Sequence, residues 1–144
     1  MKSPLQKLSP FRSRLHSAGF RATPGRLAVL ELLEKNKRPL SIKDVQERLH
    51  RKDLNQATLY RMVNALEKAG VLRAVDFRHG HAHYELENKS HHHHLICENC
   101  GKVADVSKCD TSKIEAQVLK IGGFDRITKH SLEFFGLCKR CAKK

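Results

Sequence analysis

Two C-x-x-C pairs, Cys97/Cys100 and Cys138/Cys141, constrain what this chain of 144 residues can fold into more than anything else in it. Thirty-seven residues separate the pairs. A redox dithiol needs one pair, not two, and the spacing matches no ferredoxin pattern. Tetrahedral zinc takes four thiolates, and two knuckles at the ends of neighbouring strands close such a shell. Gly101, directly after the first pair, supplies the backbone freedom that a tight metal knuckle needs. A closed four-thiolate shell leaves no position open for catalysis, so the expected zinc holds the fold together. The fifth cysteine, Cys109, stands alone and is expected to be a reduced bystander.

Charge divides the chain. Residues 1–80 carry 17 Lys/Arg against 7 Asp/Glu, whereas residues 81–144 carry 11 against 8. A first half that basic suggests a polyanionic partner. No apolar run reaches the roughly 18 residues of a membrane span. The basic start has no apolar stretch of a secretory leader, and the protein is expected in the cytoplasm, without a membrane partner.

Helical patterns fill the first 75 residues. A short amphipathic stretch runs from Leu5 to His16 and ends near Gly19. Thr23 before Pro24 is a strong helix start, with Leu27, Leu30 and Leu33 expected inside as far as about Glu34. Pro39 breaks the pattern, and Ser41 with Asp44 forms a capping-box signature for a third helix to about His50, burying Val45 and Leu49. A fourth helix, about residues 56–68, buries Leu59, Val63 and Leu66 and turns Gln56, Tyr60, Arg61 and Asn64 outward. Those four side chains can bond base edges or phosphates, although an ordinary solvated face has the same pattern.

From Val71 the period becomes two. Val71–Val75 and His81–Leu86 predict a hairpin around Arg78-His79-Gly80. Helices followed by a hairpin outline a winged helix, whose last helix docks in the major groove. Asn88-Lys89-Ser90 reads as a linker, followed by short strands around Val103–Ser107 and Arg126–Phe135 and a helix at Ser112–Ile121, closed by Gly122-Gly123. The fold class is α+β: an N-terminal winged helix-turn-helix domain over residues 1–87, and a C-terminal α/β domain over 88–144 with a four-cysteine zinc site.

Four consecutive histidines, His91–His94, precede the first knuckle. On an extended segment His92 and His94 face one side and His91 and His93 the other, which allows two different metal sites. Imidazole suits zinc, iron, nickel or cobalt and does not select among them. Glu85 lies on the second wing strand with His81 and His83 on its face, while His130 is expected in the last long strand and Glu115 on the helix before it.

In this order the features resemble the ferric uptake regulator family over about residues 12–141. The matching stretches are GFRATPGR (19–26), ATLYR (57–61), YEL (84–86), HHHHLICENCGK (91–102), HSL (130–132), and FGLC (135–138) with Cys141. The resemblance implies a dimeric metal-dependent repressor that binds A/T-rich inverted repeats in double-stranded DNA. It implies structural zinc at Cys97, Cys100, Cys138 and Cys141, and makes residues 88–144 the dimerisation domain. It maps a regulatory metal onto Glu85, His92 and His94, and a second one onto His91, His93, Glu115 and His130. For DNA it points to Tyr60 and Arg61 in the major groove and Arg21 near the minor groove.

One departure bears on the metal. Many members carry a ligating histidine just before the third helix, where this chain has Pro39. His83, His81 or Asp76 would replace it, and His83 is favoured because it shares a strand face with Glu85. The regulatory ion is then Zn2+ or Fe2+, with Mn2+ or Ni2+ also compatible. A peroxide-responsive regulator is the alternative within the family, although Glu85 and Pro39 fit its aspartate-rich site poorly. A metal-buffering protein would explain the histidines but not the basic first half. A zinc enzyme would need an open coordination position and an acid or base, and no H-E-x-x-H occurs. No enzyme activity and no small organic substrate are expected.

Overall fold

Thr23 begins a twelve-residue helix as its sequence dictates: its hydroxyl accepts from the Arg26 amide at 3.4 Å, with Pro24 at the first helical position. A computed structural model describes residues 9–78, 80–87 and 92–143. The chain divides into two compact units, Met1–Glu87 and Asn88–Lys144.

The first unit runs α1 (Phe11–Ser17), α2 (Pro24–Lys35), β1 (Leu40–Ser41), α3 (Ile42–Leu49), α4 (Gln56–Lys68), β2 (Leu72–Asp76) and β3 (Ala82–Leu86). Its sheet has the order β1-β3-β2, antiparallel throughout, with Tyr84 paired to both Leu40 and Ala74. Most of the expected stripes are buried: Leu27, Leu30 and Leu33 from α2, Val45 from α3, and Leu59, Val63 and Leu66 from α4, while Leu49, expected inside as well, is half-buried at the end of α3. They join Phe11, Leu15, Leu72, Tyr84 and Leu86 in one core. Each fully buried Leu or Val adds about 1.5–3 kcal/mol of transfer free energy. The Arg14 guanidinium ties α1 to the sheet by donating to the carbonyls of Val71, at 2.9 Å, and Glu87.

Ser41 ends a strand and caps a helix at once. Its hydroxyl accepts from the Asp44 amide at 3.1 Å, and its own amide donates to the Asp44 carboxylate at 2.9 Å. The capping box is as expected; the two-residue strand before it is not. Leu40 and Ser41 carry no period-two pattern long enough to read, and only their pairing with Tyr84 and His83 makes them a strand. The first helix begins at Phe11 with Pro10 as its cap, so Ser9 and Pro10 of the expected stretch are not helical, and its residues 5–8 lie outside the described ones. His79 at the wing tip lies outside them too.

The second unit contains β4 (His93–Cys97), β5 (Val103–Val106), α5 (Ser112–Gly122) and β6 (Glu133–Gly136). Its sheet has the order β5-β4-β6, with β5 antiparallel and β6 parallel to β4. The α5 helix ends on Gly123 in the left-handed region at φ 65°, where a Cβ would be strained. The expected long strand over Arg126–Phe135 is shorter. Only Glu133–Gly136 pairs, from Glu133 opposite His94 to Gly136 opposite Cys97. Residues 126–132 are irregular, so His130 precedes the strand instead of lying in it. Among the described residues the buried apolar side chains of this unit are Ile96, Cys97 and Cys141. Ile114, Val118 and Ile121, one stripe of α5, are 59%, 52% and 87% exposed. No helix among the described residues is long and apolar enough to cross a membrane.

Candidate metal centre and nucleic-acid interface

The four knuckle cysteines meet. Cys97 ends β4 and Cys138 follows β6, and the parallel register that sets Cys97 opposite Gly136 brings the two knuckles side by side. Gly101 has φ 70°, and its amide closes the first knuckle on the Cys97 carbonyl at 2.9 Å. The second closes from the Ala142 amide to the Cys138 carbonyl at 2.9 Å. All four sulfurs lie within 4.8 Å of one another. A Zn–S bond of about 2.3 Å gives a tetrahedron with edges of about 3.8 Å, and Cys100 Sγ stands 3.8 Å from Cys138 Sγ. The donors and spacing fit zinc.

Four thiols this close do not ionise alike. Backbone amides of Cys138 and Cys100 donate to the Cys97 sulfur and hold its thiol at about 6. The Cys138 amide contact is 3.4 Å long. The Cys141 thiol bonds to the Cys138 sulfur, lies buried, and is pushed up to about 12. A cation is what lets all four be thiolates together. Cys109 is half-buried and outside this cluster.

The histidine strand builds a second set of donors. The rings of His92 and His94 lie 5.1 Å apart, edge to face. His94 is buried, and its two nitrogens face carboxylates on both neighbouring strands: Nε2 is 4.0 Å from Asp105 and Nδ1 is 3.9 Å from Glu133. Neither carboxylate was expected from the sequence. Asp105 had a signal, since it stands three residues after Lys102 as His94 stands three before Cys97, and a hairpin closed between Cys97 and Lys102 pairs the two. Glu133 had none, because parallel pairing leaves no local mark.

On the other side of β4, His93 is buried with its ring 5.2 Å from that of His130. Their Nε2 atoms are 3.4 Å apart. His130 Nδ1 is 2.8 Å from the Glu115 carboxylate, which also accepts from the Thr111 hydroxyl at 2.7 Å. Glu115, His130 and His93 thus form a chain of donors, and His91 lies outside the described residues.

In the first unit Glu85 is half-buried on β3, opposite Arg73 on β2. The Arg73 Nε donates to Glu85 Oε1 at 2.9 Å, and its Nη2 donates to the same oxygen. His83 shares the face of Glu85, as expected. Its ring packs against Phe77 at 4.4 Å and His81 at 4.9 Å. Pro39 is buried immediately before β1.

The proposed DNA-reading residues project from one surface of α4. Gln56, Tyr60 and Arg61 are exposed, Tyr60 by 56%, and Asn64 is half-buried. Asn55 caps the helix by accepting from the Thr58 amide at 2.8 Å. A groove of about 500 Å³ separates this face from the wing, lined by Lys43, Gln56, Tyr60 and His81 among others. Arg21 is exposed in the turn before α2, and that turn is held by Arg26, which donates to the Arg21 carbonyl at 2.9 Å and stacks over Phe20. Lys43 drew no attention in the sequence, where a single lysine in a basic segment carries no signal.

Comparison with known proteins gives a consistent picture. The sequence pattern of the Ferric uptake regulator family matches residues 17–135. The ferric uptake regulation protein of Bordetella parapertussis is 37% identical over 135 residues, covering 92% of this chain and 96% of that one. Among solved structures, the ferric uptake regulator of Francisella tularensis with iron is 31% identical, covers 86% of this chain and 96% of that chain, and superposes with a TM-score of 0.73. The regulator from Vibrio cholerae is 28% identical, covers 88% and 98%, and has a TM-score of 0.74.

Proposed function

The chain belongs to the ferric uptake regulator family, whose members are metal-responsive transcriptional regulators and not enzymes, and from that premise we propose that it is a cytoplasmic, homodimeric repressor. In this reading it binds A/T-rich inverted repeats when its regulatory metal is bound. Regulators of the family bind DNA and are typically dimeric. The observation that carries the reading is α4, which buries Leu59, Val63 and Leu66 and presents Gln56, Tyr60 and Arg61 outward on the basic half of the chain.

Residues 1–87 act as the winged-helix reader and residues 88–144 as the dimeriser. Zinc at Cys97, Cys100, Cys138 and Cys141 closes the sheet of the second unit, whose apolar core is too thin to hold alone. The exposed stripe of α5 supports a second copy as its cover, since a single chain leaves it in water.

The regulatory ion takes Glu85, His92 and His94, with His83 in place of the histidine that Pro39 displaces. A second ion takes His91, His93, Glu115 and His130. Nitrogen and carboxylate donors suit Zn2+ or Fe2+, and also Mn2+ or Ni2+. Bound metal favours the state that engages DNA, and a preference of roughly 10⁴-fold, about 5.5 kcal/mol, makes the switch nearly complete.

The test is fluorescence anisotropy on an inverted-repeat duplex with the four-cysteine zinc retained. Adding Zn2+, Fe2+, Mn2+ or Ni2+ in turn is expected to raise specific affinity, with one ion acting at the lowest concentration. Tight specific binding with structural zinc alone would overturn the switch.

A further inference from the structure

Arg73 is not among the residues that the family resemblance assigns, yet it makes the shortest-range contact to Glu85 described within the first unit. The two are direct cross-strand partners in the β2–β3 ladder. Two guanidinium nitrogens converge on one carboxylate oxygen, Oε1, with the Nε contact at 2.9 Å. Both side chains are largely sheltered, at 20% exposure for Arg73 and 14% for Glu85. An exposed cross-strand ion pair does little. A sheltered one on a carboxylate that also serves a metal has to be dealt with whenever the metal arrives.

We infer that Arg73 is a positioning residue that holds Glu85 in the metal-free protein and thereby sets the metal concentration at which the regulator responds. The inference rests on the reading of Glu85 as a ligand of the regulatory ion. Two effects act in the same direction. Without metal, the guanidinium gives a sheltered carboxylate a direct positive partner, which stabilises the metal-free state. With metal, the same positive charge repels the incoming dication and draws electron density from the carboxylate. Arg73 therefore weakens metal binding while keeping the carboxylate in the place where the metal needs it. A merely structural role predicts the opposite, because loosening the wing would weaken metal binding.

The experiment compares wild type, Arg73→Met, Arg73→Lys and Glu85→Gln, each carrying its four-cysteine zinc, by calorimetric titration with Mn2+. Mn2+ is a hard ion that does not displace zinc from thiolates. Arg73→Met is expected to bind Mn2+ about tenfold more tightly, a change of ~1.4 kcal/mol. Arg73→Lys, which keeps the charge, is expected to stay near wild type. Thermal melts should show metal-free Arg73→Met destabilised more than its Mn2+-bound form. Unchanged or weaker Mn2+ binding in Arg73→Met, with Glu85→Gln losing that binding, overturns the inference and leaves the ligand reading standing. If Glu85→Gln leaves Mn2+ binding as it was, the ligand reading has failed and the inference falls with it.

Discussion

Asp44 shows how one residue can be read from sequence to stability. Three positions after Ser41, it signals a capping box, and both reciprocal bonds are present. Partial burial acts to raise its pKa, but bonds from the Ser41 hydroxyl and amide, with the charges of His83 and Arg48, outweigh burial and bring it below 3.8. A depressed carboxylate contributes stability above its unfolded value, and that stability is lost as pH falls through the folded value. Asp44→Asn is therefore expected to cost about 1 kcal/mol at neutral pH, with the gap from wild type closing below about pH 4. Thermal melts of both proteins across that range check it; a gap that persists under acid would show that charge has no part in the cap. Local signals of this kind are legible because both partners lie within one turn. Arg73 with Glu85 was within reach too, since the predicted hairpin around residues 78–80 sets them opposite each other, whereas Glu133 with His94 was not, because parallel strands meet only through register.

At the scale of elements, α4 was the most legible because its burial has a helical period and its face a chemistry. Arg61→Ala is expected to weaken operator binding by about 1–3 kcal/mol. If Tyr60 reads a base through its hydroxyl, Tyr60→Phe should change sequence preference more than overall affinity. Anisotropy on matched and mismatched duplexes separates the two, and a salt titration adds the number of phosphates neutralised. Equal loss on every duplex for Tyr60→Phe would assign that hydroxyl to a phosphate, and no loss on any would leave the ring a packing role. The last strand was the least legible element. Arg126–Phe135 contains enough β-branched and aromatic residues to suggest a strand, but a strand exists only as far as a neighbour pairs with it. That shortening places His130 in irregular chain, where its ring reaches both Glu115 and His93.

For the whole molecule, the contrast is between a first unit with a continuous apolar core and a second unit with almost none among the described residues. The cysteine spacing announced the staple, whereas the exposed α5 stripe emerged only once the helix was seen to bury none of its described residues. Val118→Glu, in the middle of that stripe, is expected to convert dimers to monomers in sedimentation velocity while leaving the first unit's core untouched. A dimer that survives the change would move the interface elsewhere.

The split four-cysteine clasp also has a consequence in time. Cys97 and Cys138 lie 41 residues apart in the chain. At the usual pace of synthesis, about 5–20 residues per second, the first knuckle waits roughly 2–8 s for the second to be made. During that interval a nascent chain holds two of the four thiols and no means of closing the shell. If zinc is the staple, the clasp is the last part of the sheet to be finished, and whether it closes records the zinc within reach of the ribosome at that moment.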